Sequence, residues 1–207
     1  MLRFENLCKR YDERVIFQGL RYNAGTECVA LNDESGSGKS TLLAILAGEI
    51  EPDQGEVWVD GHSLRHATLD AKVLVAYVPD DCMPNSQQTG REYLEQVALN
   101  RKTIVESQTL DLADRFGLTP HLGKRFEQMS FGTRKKIFLT AAALGDVKVV
   151  IADEPCAGLD APARAVLIDL FRMLGKDRTV FFSSYDEDFT QACGAKMISF
   201  AELVEGT

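Results

Sequence analysis

Residues 27–49 read "ECVALNDESGSGKSTLLAILAGE", and three textures meet in them. "ECVAL" is a short apolar, β-rich run of the kind that makes a buried strand. "KSTLLAILAGE" puts apolar residues on most faces of a helix, with Gly48 near its end. Between them the chain must curl tightly, and Gly36 and Gly38 permit that curl. A glycine loop between a buried strand and a buried helix gathers backbone N–H groups and the positive end of a helix dipole at one point. That arrangement suits a phosphate-bearing anion. The front of the loop suits it less, because Asp33 and Glu34 put two carboxylates beside that anion.

The chain has 207 residues, enough for one well-cored domain with a subdomain. With 45% hydrophobic and 26% charged residues the composition is that of a globular protein. The net charge of −8 argues against gripping a nucleic acid through its phosphates, while leaving room for a small polyanion held by local dipoles. "MLRFENLCKRYDER" has no apolar core of signal-peptide length, and no later run reaches the roughly 18 apolar residues that span a bilayer. A cytoplasmic protein is expected. The five cysteines, Cys8, Cys28, Cys82, Cys156 and Cys193, show neither a disulfide framework nor metal-ligand spacing.

Around the opening stretch, "LRFENL", "VIFQGL" and "EVWVDG" read as strands, the last after the turn signal "PDQG", and "VLVAYVP" reads as another buried strand. From Thr89 to about Leu144 the pattern is helical. Thr89 and Glu92 form a capping box, a second helix is expected over about 103–116, and a third from near Ser130 to Gly145. Strand and helix then alternate: "VKVVIAD", a helix capped by Asp160 with Pro162 in its first turn and Gly175 at its end, "RTVFFSS", and a short strand near "KMISF". The expectation is an α/β fold with a mostly parallel, covered sheet, an N-terminal antiparallel β-subdomain and an inserted α-helical subdomain. Its parts would be 1–88 and 146–207 for the core and β-subdomain, and 89–145 for the helices.

Three segments carry chemistry. In the loop, Lys39 would reach terminal phosphates and the Ser40 hydroxyl would ligate Mg²⁺. In "VVIADEP" a buried strand ends in Asp153 and Glu154; Asp153 would meet Mg²⁺, and Glu154, facing the other way, would polarise an attacking water. Taken alone, that pair equally fits an acidic strand-end turn. In "MSFGTRKK" Ser130 and Gly132 open a helix, which by itself reads as an ordinary cap followed by a solvated basic face, Arg134 to Lys136.

In this order the segments resemble the nucleotide-binding subunit of ABC transporters, a P-loop NTPase family, over nearly the whole chain. "DESGSGKST" matches the Walker A loop, "VVIADEP" the Walker B strand, "MSFGT" the family signature, and "AGLD", Ala157 to Asp160, the loop that crosses to a partner subunit. "GEIEPDQGEVWVDG" matches the turn and hairpin after the first helix. The resemblance implies ATP and Mg²⁺ as ligands. Ser35, Gly36, Ser37, Gly38, Lys39, Ser40 and Thr41 would hold the phosphates, and Tyr11 would stack on adenine. It further implies a head-to-tail homodimer or heterodimer in which Ser130 and Gly132 face the nucleotide bound by the other subunit. Integral-membrane permease subunits would be moved by ATP-driven closure and opening.

Four positions depart from the family pattern. Asp33 replaces the leading glycine, and as an Asp it tolerates positive φ. Asp80 stands where a glutamine touches Mg²⁺, and its carboxylate suits that ion as a ligand. Phe131 and Thr133 vary the signature. Tyr185 stands where a histidine contacts the γ-phosphate, and no histidine follows Walker B, since the three present are His62, His66 and His121. The expectation is therefore a slow ATPase with Glu154 and Tyr185 at the reaction centre and Ser40, Asp80 and Asp153 at the metal. It would power an exporter from the cytoplasmic face of the membrane. The alternatives are a nucleotide-gated regulatory subunit with little hydrolysis and a soluble, non-transport member of the family.

Overall fold

Strands that are apolar at every position need both faces covered, and the core of this protein is organised by that requirement. The computed structural model describes residues 1–66 and 68–205. The chain opens with β1 (Leu2–Tyr11), β2 (Arg14–Ala24), β3 (Cys28–Leu31) and α1 (Lys39–Leu46). Strands β4 (Gln54–Val59) and β5 (His62–Ser63) and the short α2 (Thr68–Lys72) lead to β6 (Val75–Val78). Helices α3 (Gly90–Asn100), α4 (Ser107–Arg115) and α5 (Phe131–Ala142) follow, with a 3-10 turn at Phe126–Gln128. The chain then alternates through β7 (Val149–Ala152), α6 (Ala161–Leu174), β8 (Thr179–Ser183), α7 (Glu187–Ala192), β9 (Lys196–Ile198) and α8 (Phe200–Glu205).

Two sheets result. One is antiparallel in the order β2-β1-β4-β5; the other has the order β6-β7-β8-β3-β9, and every neighbouring pair in it is parallel. Side chains alternate across the parallel sheet. Val29, Leu31, Val149, Ile151 and Phe181 face α1, α8 and the antiparallel sheet, while Ala30, Val150, Ala152, Val180 and Phe182 face helices α3 to α7. Helix α1 is apolar on nearly all sides because it lies inside the first of these layers, with Leu42, Leu43, Ile45 and Leu46 all buried.

Local signals placed several elements where the chain needed them. Thr89 and Glu92 form the reciprocal capping box of α3, Ser130 caps α5 through the Thr133 N–H, and Asp160 caps α6 through the Ala163 N–H. Helix α4 is shorter than the expected 103–116. It starts at Ser107, because Thr103, Ile104 and Val105 are three consecutive β-branched residues and Lys102 takes a positive φ after α3. Helix α5 ends at Ala142 rather than Gly145, with Gly145 at positive φ beyond the turn. Helices α2, α7 and α8 have too few residues to show a period. Among the described residues, no helix is long and apolar enough to cross a membrane.

The capping box gives a test of the helical segment. Thr89→Ala removes the acceptor of the Glu92 N–H at 3.2 Å and should lower unfolding free energy by about 1 kcal/mol in a urea titration. An unchanged midpoint would show that α3 does not depend on its cap.

Candidate functional site

Strands β3, β6, β7 and β8 run in the same direction, so their carboxyl ends reach one edge of the sheet, where ligands of open α/β folds bind. An open cleft of about 450 Å³ lies along that edge. The loop and the start of α1 line it with Ser35, Gly36, Gly38, Lys39, Ser40 and Thr41; the other strand ends contribute Asp80, Asp153, Glu154 and Tyr185. Arg14 and Ile16 of β2 close one side.

The loop has the shape of an anion cradle. Gly36 and Gly38 take φ of 78° and 104°, and a Cβ at Gly38 would stand 2.5 Å from the Ile16 Cγ2, so that position must be glycine. Gly38 is the N-cap of α1 and makes no side-chain cap bond. The N–H groups of the first turn therefore precede the first helical bond, from the Leu42 N–H to the Gly38 carbonyl. The Ser37 hydroxyl is buried with no partner. Lys39 is buried, and its ammonium donates to the Asp33 carbonyl at 2.6 Å, the Glu34 carbonyl at 2.8 Å and the Tyr185 hydroxyl at 2.9 Å. It also lies 4.2 Å from the centroid of the Tyr185 ring.

Across the cleft, the Asp153 side chain is 3% exposed and accepts at Oδ1 from the Ser183 hydroxyl at 2.6 Å. Glu154 takes a φ of 43°, and its N–H donates to the same hydroxyl at 2.9 Å. Its Oε1 is buried and unpartnered. Burial, and then the Asp153 charge, push the Glu154 carboxyl above the ordinary glutamate value, against the pull of Lys39.

The basic run after the signature is not the solvated face that its composition suggests. Lys135 is completely buried and donates to the Pro79 carbonyl at 3.3 Å, the Asp153 carbonyl at 3.2 Å and the Asp80 carboxylate at 3.3 Å. Lys136 bonds Asp160 at 3.0 Å. A buried ammonium is tolerated only when its protons are all taken, and two strand ends with their carbonyls exposed supply the acceptors. Asp80 therefore lies in the cleft wall, as the metal reading requires, but shares its carboxylate with a lysine.

The remaining expected residues divide. Ser130 and Gly132 lie outside the cleft, at the start of α5. A Cβ on Gly132 would meet the Gly158 carbonyl at 2.4 Å, and one on Gly158 would meet the Phe131 ring at 2.6 Å, so the signature packs against the "AGLD" loop of its own chain. Tyr11 ends β1, is 46% exposed and has the Lys9 ammonium 5.3 Å from its ring; it does not line the cleft. Its cross-strand neighbour Arg14 does. Arg14, Ile16 and Ser183 were not singled out from the sequence, and Lys135 was read there as part of a solvated face. For Ser183 a signal existed: a hydroxyl at the end of the apolar run "TVFF", facing the strand that carries the acids.

Asp33 is the departure that the geometry explains. It needs no positive φ. Its Oδ1 accepts from the Glu34 N–H at 3.0 Å and its Oδ2 from the Phe200 N–H at 2.9 Å, so the carboxylate is spent on the first residue of α8. Phe200 in turn stacks on Phe17, ring centroids 6.0 Å apart. Asp33→Ala should lower unfolding free energy by about 1.5–3 kcal/mol, with Asp33→Asn losing less, because an amide oxygen still accepts. Equal stability of all three proteins in urea would show that the tether contributes nothing.

These residues fit a magnesium-bound triphosphate. Uncapped amides, an orphaned hydroxyl and a lysine suit the phosphates; the Ser40 hydroxyl and the Asp153 and Asp80 carboxylates are hard oxygen donors of the kind Mg²⁺ takes. Among the described residues, Glu154 offers the one buried carboxylate oxygen left without a partner.

The comparisons with known proteins agree with that chemistry. The family model described as ABC transporter matches residues 21–157. NatA of Bacillus subtilis, an ABC transporter ATP-binding protein, is 30% identical over 176 residues, which are 80% of this chain and 70% of NatA. PotA of Mycoplasma mycoides, a spermidine/putrescine import ATP-binding protein, is 25% identical over 93% of this chain and 56% of its own length. The dimeric structure of MJ0796, a bacterial ABC transporter cassette, superposes with a TM-score of 0.84 over 97% of this chain and 95% of that one, at 20% identity, which speaks for the fold. From the motifs, the cleft and these matches together, the chain belongs to the ABC transporter family as one of its ATP-binding subunits.

Proposed function

We propose that the chain binds ATP with Mg²⁺ in the cleft at the sheet edge and hydrolyses it slowly, and that it works as a dimer on membrane permease subunits. ATP hydrolysis is the activity of the family to which it belongs. The observation that carries the reading is the placement of Lys39 and the uncapped start of α1 opposite Asp153 and Glu154 in a single cleft.

Each residue has a role its surroundings support. The loop from Ser35 to Thr41 receives the phosphates through backbone N–H groups, and Lys39 exchanges one of its three present acceptors for a phosphate oxygen. Mg²⁺, when bound, neutralises charge on the terminal phosphates. Ser40, Asp153 and Asp80 would hold it, Asp80 while sharing its carboxylate with Lys135. Glu154, through its unpartnered oxygen, orients a water and takes its proton. Tyr185 offers a phenol to the same region that a histidine serves in the family pattern; it has one donor and no second ring nitrogen, from which slow turnover is expected. Tyr11 is assigned to the adenine end, with Arg14 and Ile16 nearer the phosphates.

Ser130 and Gly132 are exposed or half-buried and lie away from the cleft of their own chain, as a part supplied to a partner's nucleotide would. That supports a head-to-tail dimer, homo- or heteromeric, seated on the cytoplasmic face through the permease. The segment 89–145 is then the helical subdomain that carries the signature. Direction of transport belongs to the membrane subunits, and relatives named for import are among those that match. A second reading, a nucleotide-gated subunit with little hydrolysis, draws on one observation: the Tyr185 hydroxyl already occupies the Lys39 ammonium.

Purified protein with Mg-ATP separates these readings. Lys39→Ala should abolish detectable nucleotide binding by calorimetry. Glu154→Gln should keep binding and lower kcat by about a hundredfold or more, and Tyr185→His should raise it. Wild-type turnover in Glu154→Gln removes that residue from the mechanism, and turnover at background in the wild type favours the regulatory reading. Co-purification with a polytopic membrane protein from detergent-solubilised cells is the expected partner result.

A further inference from the structure

We infer that Ser183 is the positioning residue that holds both acids of the cleft, and through them the Mg²⁺ site, in working register. The inference rests on the reading of the cleft given above and adds to it a residue outside the loop and the acidic pair.

Strand β8 is buried at all five positions, and Ser183 at its end is 0% exposed. A hydroxyl so placed must be paired to be tolerated. Thr179, at the other end of the strand, spends its hydroxyl on the Gly25 carbonyl, far along the chain from the acids. Ser183 instead donates to Asp153 Oδ1 at 2.6 Å and accepts from the Glu154 N–H at 2.9 Å. One oxygen atom thus engages the side chain of the first acid and the backbone of the second.

Each bond answers a specific local need. The ladder between β7 and β8 ends at Ala152 and Phe182, so the Glu154 N–H lies past the last strand pairing and needs an acceptor from elsewhere. Glu154 also sits at a φ of 43°, a conformation that persists in an L-residue only where the surroundings hold it. The Ser183 oxygen supplies the acceptor and pins the turn, which fixes where the Glu154 side chain emerges. The proton on the same oxygen goes to one Asp153 oxygen, which sets the carboxylate rotamer and leaves the other oxygen for a cation. An alanine or valine here would fill the strand equally well, leaving Asp153 without its donor and Glu154 without its acceptor. The hydroxyl therefore serves the acids rather than the sheet.

The test uses the full-length protein with Mn²⁺ as probe and a non-hydrolysable ATP analogue, read by electron paramagnetic resonance, beside ATP turnover. Ser183→Ala should weaken Mn²⁺ about tenfold or more and lower kcat by about 10–100-fold. Analogue binding in EDTA should stay near wild type, and the protein should stay folded with a lowered melting temperature, because the Glu154 N–H loses its acceptor. Ser183→Thr, which keeps the hydroxyl, should recover both losses. If the alanine protein does not fold, Ser183→Cys, similar in size but a weak donor, carries the same expectation.

Wild-type Mn²⁺ affinity in the alanine protein would overturn the inference. So would a folded threonine protein no better than alanine, or an equal loss of metal-free analogue binding, since general damage to the cleft would then account for the effect. Asp153→Asn is the control on the underlying reading. If it too binds Mn²⁺ as wild type does, the metal site itself is misplaced, and the fault lies there rather than with Ser183 alone.

Discussion

A parallel sheet covered on both faces leaves a chain only one kind of place to put polar chemistry: the edge where the strands stop. Along β3, β6, β7 and β8 nearly every side chain is apolar and buried, and main-chain groups are spent on neighbouring strands. At the carboxyl ends both conditions lapse within one or two residues. Carbonyls of Pro79 and Asp153, amides at the start of α1, and the side chains of Asp80, Asp153, Glu154, Ser183 and Tyr185 all fall within one small region. The cleft is a consequence of that geometry before it is a consequence of any motif.

The same concentration creates an electrostatic difficulty. Four carboxylates, Asp33, Asp80, Asp153 and Glu154, lie near a loop suited to a polyanion, in a chain whose net charge is −8. The structure meets it by giving most of them a partner. Asp33 takes two backbone N–H groups, Asp80 shares a fully buried lysine, and Asp153 takes a hydroxyl proton. Glu154 keeps a buried oxygen free, and burial and then the Asp153 charge raise its proton affinity. Of the four, Glu154 is thus the acid that the protein leaves least neutralised.

Much of this was legible in the sequence, and the reason is range. The capping box at Thr89, the cap and first-turn proline of α6 and the glycines of the loop act on neighbours within four residues, so they can be read from the string itself. The strands of the parallel sheet were legible because continuous apolar runs have few other homes. Helix α4 was placed too early because a periodic pattern overrode the β-branched run at 103–105. Lys135 was misjudged because a lysine between two basic residues carries no mark of burial; its three acceptors come from positions 18 to 56 residues away.

By itself, then, the sequence determined the order of elements, the phosphate loop and the family, since each rests on local spacing that survives without knowledge of the fold. The tertiary structure decided which side chains meet. It turned Asp33 away from the loop towards α8, brought Arg14 rather than Tyr11 to the cleft, buried Lys135 beneath two strand ends, and set the Ser183 hydroxyl between the acids of another strand. Those outcomes depend on strand register and on the packing of helices against the sheet. Both are properties of contacts between distant segments, and no single segment encodes them.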